Sequence, residues 1–75
     1  MFSYGDIVRL IAPTGEADHN GTLRVWSCKT VFRVLHPTHG GEVVVVDDSR
    51  GLRVTFQSER LCMVTRAEHT SGRAG

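Results

Sequence analysis

The stretch EVVVVDDSRGLRVTF, residues 42–56, decides the fold class. Four consecutive valines are followed by turn formers at 48–51 and then by alternating apolar and polar residues. β-Branched side chains suit pleated strands, and Gly51 permits the positive φ that a tight hairpin needs. The stretch therefore predicts an antiparallel hairpin with strands at 42–47 and 52–56, and the Asp48 side chain is assigned to cap its turn.

The rest of the chain continues the same pattern on both sides of this hairpin. We predict further strands at 6–11, 21–28, 30–35 and 61–65, loops at 12–20 and 36–41, and one 3₁₀ turn at 57–60. In the strand at 21–28, Leu23 and Val25 are assigned to the inner face, and Arg24 and Trp26 to the outer face. The predicted fold class is all-β, a single barrel of five or six short strands over residues 1–66 with a flexible polar tail at 67–75.

Composition limits the classes of function. The chain has 75 residues, enough for one small domain, and a formal net charge of +1, so bulk charge alone attracts no polyanion. Its longest apolar run is four valines, far short of the ~20 residues that cross a bilayer, so no membrane association is expected. The start MFSYGD lacks the segments of a secretory signal. We therefore expect a cytoplasmic protein whose Cys28 and Cys62 are reduced and packed as small apolar groups.

Four features mark the order of these elements: Gly5-Asp6-x-Val8-Arg9, Gly21 after the long loop, the hairpin at 48–51, and Val54-x-Phe56-x4-Leu61-x2-Val64. On these residues, the chain resembles the SH3-like barrel group over residues 5–65. That group hosts many unrelated activities, so the resemblance implies a fold and not a function.

Two members of the group imply different functions. The first stretch, from Gly5 to Leu23, is similar to the KOW motif of ribosome-associated and RNA-polymerase-associated barrels, although its loop has no Lys or Arg. The strand at 21–28 and the end of the chain resemble the plasmid-encoded type II dihydrofolate reductase. The pore motif of that enzyme, Val-Gln-Ile-Tyr, is replaced here by RVTF at 53–56, so its activity does not carry over, whereas its habit of oligomerising is a feature to test.

The candidate partner surface consists of outward arginines with aromatic neighbours. Arg9, Arg24, Arg33 and Arg53 fall at outward positions of the predicted strands, and arginine beside an exposed indole is common at protein interfaces. The predicted partner-binding residues are Trp26, Arg24, Phe32, Arg33, Arg53 and Tyr4. Because so short a chain buries little core, and the valine strand is apolar on both faces, we also predict a homo-oligomer interface at Val43, Val44, Val45 and Val46.

Catalytic and metal sites are weakly indicated. His36-x-x-His39 supplies only two ligands, and His19, His69, Cys28 and Cys62 cannot be placed in space from the sequence, so no metal and no cofactor are predicted. Asp47 and Asp48 point to opposite faces of a strand, and no nucleophile motif surrounds Ser27 or Cys28. We therefore predict a non-catalytic interaction module that binds a protein partner or itself. A KOW-like nucleic-acid-binding barrel and a reductase-like oligomer that binds a small molecule remain the alternatives.

Overall fold

The computed structural model describes residues 2–37 and 40–67 of the chain. Within those residues the predicted all-β class is confirmed, with seven strands rather than five or six and one short 3₁₀ helix. The strands are β1 (Ile7–Leu10), β2 (Thr14–Ala17), β3 (Leu23–Trp26), β4 (Val31–Pro37), β5 (Glu42–Asp47), β6 (Leu52–Gln57) and β7 (Leu61–Thr65), with the 3₁₀ helix η1 at Ser58–Arg60 between the last two.

The strands form two antiparallel sheets. The larger has the order β6-β5-β4-β1-β7, so that the first and last strands of the chain are neighbours, and the smaller is the β2–β3 hairpin. The two sheets meet at a single bridge between Asp18 and Val54. In the part of the chain that the structure describes, no ladder joins β6 to β7, so the strand pairing does not close a barrel.

The β5–β6 hairpin confirms the strand assignment made from residues 42–56, with one correction. The two strands pair from Glu42–Gln57 to Asp47–Leu52, and Gly51 has the positive φ of 68° that the turn requires. The side chain that caps the turn is Asp47, not Asp48: it accepts hydrogen bonds from the Ser49 backbone N–H (3.1 Å) and hydroxyl (2.7 Å). Asp48 follows in the turn itself, but its carboxylate is bound by Arg33 at 2.8 Å and so does not cap the turn.

The predicted loops at 12–20 and 36–41 are shorter than the sequence indicates. Thr14–Ala17 is a strand, because it pairs residue by residue with β3, and only the segment around Asp18 to Gly21 forms the turn. Strand β4 extends to Pro37 and contains a register shift between Val34 and His36. Residues 38 and 39 lie outside the described residues.

The core reverses the predicted orientation of β3. Trp26 is 1% exposed, whereas Val25 is 81% and Leu23 76% exposed, so the predicted inner and outer faces of this strand are interchanged. Trp26 packs against Phe32 and Phe56 with ring centroids 5.7 and 6.2 Å apart. An indole buries more apolar area than leucine or valine, and its N–H finds a partner in the Glu16 carbonyl at 3.0 Å.

A buried carboxylate ties the two ends of the described domain together. Asp6 is fully buried and accepts hydrogen bonds from the backbone N–H of Ser3 (2.9 Å) and of Ala67 (2.7 Å). Ala67, the first residue of the predicted tail, is thus held against the start of the chain. The rest of that predicted tail, 68–75, lies outside the described residues. Among the described residues, we find no helix whose length and apolarity would let it cross a bilayer.

Candidate functional site

Two aromatic residues of the predicted partner surface are buried in the core. Trp26 and Phe32 are 1% and 0% exposed, so the prediction that they lie on a contact face is wrong. Together with Phe56 they form a three-ring cluster in which all the centroids lie within 6.2 Å of one another. The Arg50 guanidinium lies 5.2 Å from the Trp26 ring centroid, a cation–π distance, at the edge of this cluster.

Two predicted contact residues, Arg33 and Arg53, share one face of the large sheet, and a third, Tyr4, lies next to Arg33. In the large sheet, Arg33 of β4 and Arg53 of β6 both pair with Val46 of β5, so the three side chains form one row on the outer face. Arg33 binds both carboxylate oxygens of Asp48 at 2.8 Å. Asp48, with a smaller contribution from the Tyr4 phenol, raises the pKa of Arg33. We call Arg33 and Arg53, with Tyr4 beside Arg33, the arginine row; it is what remains of the predicted partner surface.

Arg24 belongs to a different part of the molecule. Its Nε donates to an oxygen of Asp18 at 2.7 Å, and Asp18 also accepts the backbone N–H groups of Asn20 and Thr22 at the hairpin tip. Register places Arg9 on the same sheet face as Arg33, because Arg9 pairs with Val31 in β4. The nucleic-acid alternative requires all the strand arginines to converge, and Arg24 instead stabilises the hairpin.

The predicted oligomer interface is mostly covered within one chain. Val43 and Val45 are 2% and 0% exposed in the core, Val46 is 8% exposed, and Val44 is half-buried. Val46 lies between two arginines whose methylene stems are long enough to cover it. The expectation that the outer side of this strand needs a second copy to cover it is therefore corrected.

An apolar face that the sequence reasoning assigned to the core is exposed instead. Leu23 and Val25 share the outward face of β3, and their cross-strand partners on β2 are Ala17 and Gly15, both exposed. We call Gly15, Ala17, Leu23 and Val25 the hairpin face. The sequence contained a signal for this exposed face. Trp26 points to the opposite side of the strand from Leu23 and Val25, and the largest apolar side chain gains most from burial in the core.

Two aspartates, one at the tip of the β2–β3 hairpin and one beside the arginine row, are held in their charged form by arginines. The hydrogen bond from Arg24 lowers the pKa of Asp18, with help from the two tip N–H groups and against the opposing effect of burial. The hydrogen bonds from Arg33 likewise lower the pKa of Asp48. Both carboxylates thus act as fixed partners in the fold, which leaves neither of them free for proton transfer near neutral pH.

The pKa of Asp47 is also lowered, although burial has a larger opposing effect there. Its burial raises the pKa of the carboxyl, but the hydrogen bonds from Ser49 and Arg50 and the charge of Arg50 outweigh burial, so that the pKa is lowered overall. Asp47 and Arg50 line a cleft of about 440 Å³ beside the arginine row. Four of the charged residues that line the cleft form two ion pairs, Asp47–Arg50 and Arg33–Asp48, both at 2.8 Å.

These shifts predict a loss of stability in acid. All three pKa values lie below the ordinary value of 3.8, so the unfolded chain takes up protons more readily than the native one. We expect the free energy of unfolding in urea to be constant above about pH 5 and to fall as pH drops towards 3. Asp18→Asn removes one of the three groups and should give a shallower decline; an identical decline would exclude Asp18 as a contributor.

Metal and thiol chemistry has little support in the described residues. They contain no group of three His, Cys, Asp or Glu side chains placed to hold a metal ion, while His39 and His69 lie outside them. Cys28 and Cys62 are free thiols; Cys28 packs against the core as expected, whereas Cys62 is exposed. His19 has a structural contact, since its Nδ1 accepts the Arg53 backbone N–H at 3.0 Å.

Compared with protein-family models, with curated proteins and with solved structures, the chain gives no match.

Proposed function

We propose that this chain is a non-catalytic interaction module of SH3-like architecture that self-associates and binds a protein partner. The architecture is supported by the element order: a first strand, a long hairpin excursion, three antiparallel strands, a 3₁₀ turn and a last strand beside the first. This is the plan implied by the resemblance of residues 5–65 to SH3-like barrels. Such barrels serve many functions, so the activity is argued from the surface.

The observation that carries the proposal is the exposure of the hairpin face. Two large apolar side chains, Leu23 at 76% and Val25 at 81% exposed, lie on one strand with only Ala17 and Gly15 beside them. Isolated exposed apolar residues are ordinary on protein surfaces, but contiguous ones rimmed by polar groups mark interaction sites. The polar turn from Asp18 to Gly21 supplies such a rim at the hairpin tip.

The pairing of the aspartates with arginines also favours an interaction role over catalysis. Asp18, Asp47 and Asp48 each form an ion pair with an arginine. The positions that correspond to the ligand-holding glutamine and tyrosine of the type II reductase are Val54 and Phe56, which are 3% and 1% exposed. Neither side chain reaches a ligand at the surface, which disfavours the reductase-like alternative.

The arginine row is the surface we assign to a protein partner. Tyr4 is 64% exposed beside Arg33, and arginine with tyrosine is the composition enriched at protein interfaces. Arg33 is oriented in advance by its two hydrogen bonds to Asp48, which lowers the entropy lost when a partner binds. This surface lies on the large sheet and the hairpin face on the small one, so the two contacts use different strands.

Self-association is tested by the mass of the protein in solution. We expect sedimentation velocity at increasing protein concentration to show the sedimentation coefficient rising from that of the 8.3 kDa chain towards that of its dimer. Sedimentation equilibrium at the same concentrations gives the dissociation constant. A mass that stays at 8.3 kDa up to millimolar concentration would contradict the proposal of self-association.

A further inference from the structure

The hairpin face is divided lengthwise into a row of large side chains and a row of small ones. The β3 row consists of Leu23 and Val25, and the β2 row consists of their direct partners, Ala17 and Gly15. Within each row the two residues are ~6.5–7 Å apart, and the rows are ~4.8 Å apart. The face is thus a ridge beside a flat strip.

We propose that this face is a two-fold contact with a second copy of the chain, in which the β3 ridge of each copy packs on the β2 strip of the other. The inference rests on the proposed self-association and specifies its surface and its geometry. The symmetry axis runs along the strands, between the two rows. Val25 of one copy then lies over Gly15 of the other, and Leu23 over Ala17.

The division into ridge and strip is what selects a second copy as the occupant. Sheets pack face to face ~10 Å apart, and close packing leaves few voids. Ridge on ridge would force the sheets apart, and strip on strip would leave an empty layer. Rotation about an axis along the strands pairs large with small on both sides at once, as an isologous contact requires. A flat strip beside a ridge is therefore complementary to itself.

The distribution of charge supports the same contact. Glu16 and Arg24, the charged residues of the two strands, alternate with the hairpin face and point to its other side, where Arg24 is held by Asp18 at 2.7 Å. The two-fold contact therefore buries no charged side chain of β2 or β3. The polar tip lies at the end of the ribbon, where the rim of an interface is usually polar.

The size of the face sets the strength to expect. Stable interfaces use roughly 20–30 residues on each side, and the hairpin face has four residues, of which two are large. The contact is therefore a weak one that forms at high protein concentration. The measurements that test it should extend to concentrations at which the wild-type chain is predominantly dimeric.

The first test places a charge on the ridge. Val25→Glu should raise the dimer dissociation constant at least tenfold in sedimentation equilibrium, because the contact would bury unpaired carboxylates. Val64→Glu is the matched control, since Val64 is a 43% exposed strand valine on β7, and should leave the constant unchanged. Emission from the buried Trp26 reports whether each variant is folded. A folded Val25→Glu variant that dimerises as well as the wild type would overturn the placement.

The second test fills the strip. Ala17→Leu adds apolar surface but occupies the place of Leu23 from the other copy, so we expect the dissociation constant to rise. A lower dissociation constant would show that the face binds through its apolar area alone and would overturn the ridge-on-strip geometry.

Two outcomes separate this inference from the proposed function. A wild-type chain that is monomeric at every concentration would contradict the proposed self-association itself. A wild-type dimer whose dissociation constant is unchanged by both hairpin variants would contradict this inference alone.

Discussion

Replacing Trp26 with alanine is expected to remove a large part of the free energy of unfolding. The side chain is 1% exposed and contacts the rings of both Phe32 and Phe56, so its removal leaves a large cavity at the centre of the core. Truncation of a buried tryptophan costs about 3–5 kcal/mol. A domain of this size has a total stability of roughly 3–10 kcal/mol. Urea unfolding followed by far-UV circular dichroism measures the loss.

The adjacent valine is a sharp control for this prediction. Val25→Ala changes an apolar residue on the same strand that is 81% exposed, and we expect a change within about 0.5 kcal/mol. Trp26→Phe retains a ring in the cavity and should fall between the two. Equal unfolding midpoints for the Trp26→Ala and Val25→Ala variants would show that the orientation of β3 is the one first predicted from the sequence, with the tryptophan outside.

The contrast between β5 and β3 shows what the sequence could and could not predict. Strand β5 was predicted with the correct bounds and β6 to within one residue, because a valine run followed by turn formers has one local solution. In β3 the alternation of the side chains was predicted correctly, but the face assigned to the core was the wrong one. Period-two patterning leaves two choices of face, and the choice is made by packing against Phe32 and Phe56, which lie on other strands.

The remaining differences also have their cause in tertiary contacts. Strand β2 has a sequence typical of a loop, and it is extended because β3 supplies its hydrogen-bond partners. Asp47 caps the turn in place of Asp48 because Asp47, the last residue of β5, is turned inward. Asp48 is instead bound by Arg33, which the register of the sheet brings within reach. The candidate site differs from the predicted one because β3 is oriented with Leu23 and Val25, and therefore the hairpin face, exposed.

Replacing Asp6 with alanine is expected to have the second-largest effect. The carboxylate is fully buried and accepts the backbone N–H groups of Ser3 and Ala67, the latter 61 residues away in sequence. Loss of the acceptor leaves two half-buried donors without it, each at the lower end of about 1–3 kcal/mol. Asp6→Asn keeps one acceptor oxygen but presents an NH₂ group to the other donor, so its cost should be intermediate. Urea unfolding gives both values.

Local exchange separates the tie between the chain ends from a general loss of stability. The Ala67 amide should exchange slowly with solvent in the wild type and rapidly in the Asp6→Ala variant, under conditions where the core amide of Val45 is still protected. Glu59→Ala, which removes an exposed carboxylate, should change stability by no more than about 0.5 kcal/mol and leave the Ala67 amide protected. If Ala67 exchanges equally fast in the wild type and the Asp6→Ala variant, Asp6 does not hold the end of the domain. The first and last strands would then be held together by their ladder without the contact between Asp6 and Ala67.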